Sequence, residues 1–178
     1  MNENSNGWNE LRLNDLGIFL RGKGIAKADL IAEGELAVLY GHLYTIFDGT
    51  INSAAVCVPS EVAANSTAIQ YGDILFPTSG EAADEIGKPS VYLANSRAFV
   101  GGDIIVFRPH QVSSSHYLMM ALRTPEAFKY RSEAAQGQSV VHIYKSNLEF
   151  HPVLVPPQGQ RALCGGMGGW VVCALRLK

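Results

Sequence analysis

Apolar residues along this chain fall in short runs closed by glycine, proline or asparagine, as in "GIFLRG", "GDILFP" and "GGDIIVFRP". Branched and aromatic residues bounded in this way predict strands. The strands expected are 18–21, 37–40, 54–58, 73–76, 90–93, 104–108 and 153–155. No repeat of constant period recurs, which argues against a solenoid or propeller.

Helical spacing emerges in two stretches. "SSSHYLMMALR" offers serines as N-caps ahead of Tyr117, Leu118, Ala121 and Leu122. "TPEAFKYRSEAAQG" has Thr124 as cap, Pro125 at the first helical position, Glu126 in the first turn and Gly137 as terminator. A third, shorter helix is expected after Lys27, over Asp29 to Glu33, with Gly34 ending it. The pattern predicts an α+β fold, one β-rich mixed domain with a few peripheral helices. The end of the chain, "RALCGGMGGWVVCALRLK", differs from what precedes it, with four glycines in five residues ahead of a small apolar tail. Such glycine density disfavours helix. The expected division is a domain over residues 1–161 and an atypical glycine-rich apolar tail over 162–178.

Composition narrows the function classes. The 178 residues, 47% of them hydrophobic, suit a single globular core. Fourteen Lys and Arg against sixteen Asp and Glu give a net charge of −2, so total charge drives the chain toward neither nucleic acid nor an anionic membrane. No apolar run approaches the ~20 residues of a membrane span, and "MNENSNGWNE" lacks the features of a signal peptide. A cytoplasmic protein is expected, with no membrane partner. Cys57, Cys164 and Cys173 have no CxxC spacing, which argues against a disulfide framework or a cysteine-built zinc site.

Most catalytic patterns fail on spacing. In "GEAADEIGK" six residues rather than four separate the glycines, and Pro89 stands where a P-loop has Ser or Thr. "RGKGIAK" lacks the third glycine of a dinucleotide fingerprint. The five histidines form neither HExxH nor an i, i+4 pair, so no metal site is expected. No GxSxG elbow is present. For His142 the plain expectation is a partly buried ring hydrogen-bonded to backbone. What remains is four polar, glycine-bearing loops, "RGKGIAK", "YGHLYT", "PTSGEAADEIGK" and "QGQSVVHIYK", whose donors could read a surface.

Taken in order, Trp8 with "LRLNDLGIFLRGKGIAKADL", then "GELAVLYGHLYT", "YGDILFPTSGEAADEIGKPSVYL", "FVGGDIIVFRP", "QGQSVVHIYKSNL" and "VLVPPQGQR" resemble the target recognition domain of the type I restriction-modification specificity subunit. The resemblance spans residues 8–161 and implies sequence-specific recognition of double-stranded DNA by a chain without catalytic residues. It also implies a modification (methyltransferase) subunit and a restriction subunit as partners. Those subunits would bring S-adenosylmethionine, ATP and magnesium, with no cofactor on this chain. Under it the DNA-facing candidates are Arg21, Lys23, Lys27, His42, Tyr44, Thr45, Ser79, Lys88, Gln138 and Tyr144, with Lys23, Lys27 and Lys88 assigned to phosphates. His142 becomes a structural or DNA-proximal residue.

The chain departs from that family after "VPPQGQR". There the family starts a long spacer helix, whereas the glycines here would each cost ~1 kcal/mol in a helix. The spacer helix is expected to be missing. A half-subunit that homodimerises, a folded non-functional remnant and a chain cut to one domain all fit. Two readings from other classes stay open. One is a small hydrolase or lyase using His142, Ser79 and Glu81 or Asp84; the other is a protein-interaction module using the same loops.

Overall fold

In the computed structural model, which describes residues 7–80, 85–137 and 140–156, every expected strand forms within two residues of its expected bounds. The strands are β1 (Asn9–Arg12), β2 (Gly17–Arg21), β3 (Glu35–Val38), β4 (Thr50–Ile51), β5 (Val56–Val58), β6 (Thr67–Ile69) and β7 (Ile74–Pro77). They continue with β8 (Ser79–Gly80), β9 (Ser90–Tyr92), β10 (Ala98–Val100), β11 (Ile104–Pro109), β12 (Val141–His142) and β13 (Pro152–Val155). The helices are α1 (Leu13–Leu16), α2 (His42–Thr45), α3 (Ser60–Ala64), α4 (Ser115–Ala121), α5 (Pro125–Ala134) and α6 (Lys145–Glu149). The fold is α+β and strand-rich, as the apolar pattern predicts. Residues 162–178 lie outside the described residues.

A five-stranded sheet in the order β2-β11-β7-β9-β4 forms the centre, antiparallel except where β9 meets β4. Its interior strand β11 explains why "IIVF" reads as an unbroken apolar run, because both faces are covered. Ile105 and Phe107 point into one core with Ile74, Phe76 and Val91, closed by Tyr117, Leu118 and Leu122 at α4. Ile104 and Val106 point the other way, against Leu75, Tyr92, Val38 and Val100. This second core lies against the sheet β5-β3-β10-β6, which covers a third cluster of Ile25, Ala37, Val58, Ala63 and Phe99 on its far side. The ribbon β1-β13 is tied down by the Tyr117 hydroxyl, which donates to the Leu154 carbonyl at 2.6 Å. Among the described residues, no helix is long and apolar enough to cross a membrane.

The helices depart from expectation in three places. After Lys27 the chain makes only a 3-10 turn, Lys27–Asp29. The Asp29 carboxylate accepts from the Ala26 amide at 2.7 Å, and Ile31 then pairs with Cys57, so cross-strand bonding overrides helix propensity. Ser114, at the N-cap position of α4, does not cap it through its side chain, because its hydroxyl donates to the Gln111 carbonyl within a preceding 3-10 turn. Thr124 does cap α5, accepting from the Ala127 amide at 3.3 Å, but Gly137 does not end that helix. With φ of +123° it instead turns the chain after Gln136, which pairs with His142. A Cβ at Gly137 would stand 2.1 Å from the Val140 carbonyl, so no other residue fits there.

Candidate nucleic-acid interface

The strand pair β8-β12 places Ser79 directly opposite His142. Its formation follows from the turn at Gly137 and from the Ile143 amide, which donates to the Thr78 carbonyl at 3.0 Å. Arg21, at the end of β2, joins them because Ile105 beside it shares the same cleft wall. The cleft of about 530 Å³ is lined by Arg21, Ser79, Asp103, His142, Tyr144 and Lys145, among others. Arg21, His142 and Tyr144 are exposed, so their donors face solvent. Lys145 is held by Glu149 one turn along α6 at 3.2 Å, which restricts its ammonium without burying it.

A second cleft of about 480 Å³ shares Ser79 and is lined by Tyr40, Tyr44, Thr45, Glu85 and Val140. The Tyr44 hydroxyl donates to the Ser79 carbonyl at 3.1 Å and accepts a backbone hydrogen bond from Gly87. Burial pushes its pKa up to about 12, so the phenol stays protonated and fixed. The Thr45 hydroxyl donates to the Gly41 carbonyl at 2.9 Å within α2.

Arg21, Ser79 and Tyr144 thus share the first cleft, and Tyr44 and Thr45 meet Ser79 in the second. Lys23, Lys27, His42 and Lys88 line neither. Lys23 and Lys27 are exposed and flank Gly24, where the chain passes Ser66. His42 accepts from the Leu39 amide at 3.4 Å and stands edge-on to Phe47, with its pKa lowered by burial. Lys88 reaches Asp48 at 3.6 Å, the same exposed carboxylate that Arg123 binds, so the ammonium is drawn toward Asp48 while the three groups keep a net positive charge. Gln138 lies outside the described residues. Lys145 and Glu85 were not singled out from the sequence, although each sits in a loop that was. Their importance arises only from convergence across the chain.

His142 is neither partly buried nor bonded to backbone through its ring, as expected from sequence. It is exposed, and its Nδ1 lies 3.1 Å from the Ser79 hydroxyl. A serine–histidine hydrolase would need this contact first. Cross-strand opposition accounts for it without catalysis, since directly paired residues on short strands bring their side chains together. Among the described residues no carboxylate bonds to the His142 ring; Glu81 and Asp84 lie outside them. Nor do any three His, Cys, Asp or Glu among the described residues group as metal ligands.

No protein-family model and no curated protein matches the sequence. Solved structures do match by fold. The type I restriction-modification S subunit from M. genitalium superposes with a TM-score of 0.60 at 13% identity, covering 99% of this chain and 42% of that one. The HsdS subunit from Thermoanaerobacter tengcongensis gives 0.60 at 17% identity, covering 96% of this chain and 39% of that one. A chain from a type I R-M system, studied for complex assembly and conformational transition, gives 0.62 at 14%, covering 96% and 40%. The chain spans about two fifths of the length of these structures. Over nearly its whole length it has the fold found in the specificity subunits of type I restriction-modification systems.

Proposed function

We propose that this chain is a DNA target recognition domain of a specificity subunit, which directs methyltransferase and restriction subunits to a site. The observation that supports it best is the fold likeness over 96 to 99% of the chain. A fold alone does not carry an activity, and the first cleft adds the chemistry. Arg21, Lys145, His142, Ser79 and Tyr144 reach it from three separate segments. Such donors, held on a rigid scaffold, suit phosphate oxygens and the acceptor edges of bases. In this reading the chain does no chemistry itself, and S-adenosylmethionine, ATP and magnesium belong to the partner subunits. A homodimer of such chains would read a symmetric bipartite site.

The test is co-expression of the chain with the modification subunit of its own genome in a methylation-free host, followed by mapping of N6-methyladenine. A new methylated motif is the expected result. Absence of methylation with both proteins soluble overturns the proposal in favour of a folded remnant.

The net charge of −2 predicts that the chain alone binds duplex weakly. Each phosphate neutralised steepens the dependence of log K on log salt by about 0.9. Arg21→Ala should therefore flatten that slope by about one unit in fluorescence anisotropy titrations of the assembled complex. An unchanged slope would remove Arg21 from the phosphate contacts.

A further inference from the structure

The second cleft differs in chemistry from the first. The hydroxyl hydrogens of Tyr44 and Thr45 are engaged by the carbonyls of Ser79 and Gly41. Ser79 is bonded to His142 through its side chain. Among the described residues this leaves the Glu85 carboxylate as the charged group of the cleft, with Tyr40 as its one hydroxyl free of a described hydrogen-bond partner. Val140 and Tyr40, 48% and 43% exposed, supply apolar wall. A carboxylate on a DNA-facing surface is repelled by phosphates, and guanine presents only acceptors, N7 and O6, in the major groove. The groups it can accept from are the exocyclic amines, N6 of adenine and N4 of cytosine.

We infer that Glu85 is a specificity-determining residue, which accepts a hydrogen bond from a base amino group in the major groove while Val140 and Tyr40 cover the apolar edge beside it. The inference rests on the proposed DNA recognition and names what one cleft reads. The first cleft, where Arg21 and Lys145 stand with Asp103, holds backbone and acceptor edges through its cations, and the second selects adenine or cytosine against guanine at one position. Two neighbouring clefts joined at Ser79, one lined by cations and one with none among the described residues, would read adjacent features of one groove.

The test compares the wild-type chain with Glu85→Leu and Glu85→Gln, each co-expressed with the modification subunit, by mapping the methylated motif. Glu85 is exposed, so neither substitution threatens the fold. With Glu85→Leu, preference at one A- or C-specified position should fall roughly ten-fold while the other positions keep theirs. Glu85→Gln should keep adenine at that position if adenine is read, because a carboxamide pairs with its N6 and N7, and should lose preference if cytosine is read. A Glu85→Leu motif identical to wild type, or a uniform loss of methylation at every site, overturns the inference while the recognition function stands. A wild-type chain that directs no methylation overturns both.

Discussion

Acidification from pH 7 to pH 4 should cost about 3 kcal/mol of stability through one side chain, His151. The ring is 1% exposed and packs against Tyr130 at 4.5 Å. Its Nδ1 donates to the Pro152 carbonyl at 2.8 Å, which leaves Nε2 unprotonated to accept from Arg131 Nη1 at 3.2 Å. Burial first, and the Arg131 charge second, push its pKa down to about 4. In the unfolded chain a histidine titrates near 6.5. Between those values the unfolded state takes up a proton that the folded state refuses, so stability falls as pH falls. Above 6.5 the contribution is flat, and below 4 both states are protonated and no more is lost. His42 and His116 are shifted the same way by burial, so the measurement is a difference. Urea midpoints from pH 7 to 4 should drop less steeply in His151→Gln than in wild type. Equal slopes would show that His151 is protonated without penalty.

Removal of the Asp73 carboxylate should destabilise the domain by about 3 kcal/mol. Asp73 is 1% exposed, and Arg108 clamps it with two hydrogen bonds, Nε at 2.8 Å and Nη2 at 2.7 Å. The same carboxylate accepts from the Gln70 amide at 2.9 Å, which fixes the turn before β7. Asp73→Ala leaves a largely covered guanidinium without a counter-charge, the costly half of breaking a buried pair. Asp73→Ala with Arg108→Met should recover part of the loss, because the coupled residues are then removed together. The pair lies at the Ile18 end of the β2-β11 ladder and Arg21 at the other, so the geometry of the first cleft should survive in the double variant. A loss below about 1 kcal/mol in urea unfolding of Asp73→Ala would mean that water already solvates Arg108.

The central strands were legible in the sequence because covered faces demand apolar runs. "DILF" and "IIVFR" can be little else between glycine and proline. The two-residue strands β8 and β12 carry no such signal, since "SG" and "VH" are set only by what they pair with. The single-turn helices α1, α2, α3 and α6 were missed for the same reason, as each is too short to be stabilised by its own periodicity. Loop sequences identified the segments that carry the candidate site, but not which of their residues meet. Ser79 and His142 are 63 positions apart, and only the pairing of their strands brings them together. Lys88 looked free in the sequence because its partner Asp48 lies in a different loop.

The double-sided burial of β11 also bears on how a chain with the proposed recognition function can change its target. Arg21, Glu85, His142 and Tyr144 are exposed at the ends of strands and in turns, while the residues that hold the sheets together are fully covered. Substitution at the exposed positions typically alters stability by less than about 0.5 kcal/mol. Lineages of this fold could therefore drift from one base preference to another through viable intermediates, with selection acting on the clefts and the frame left untouched.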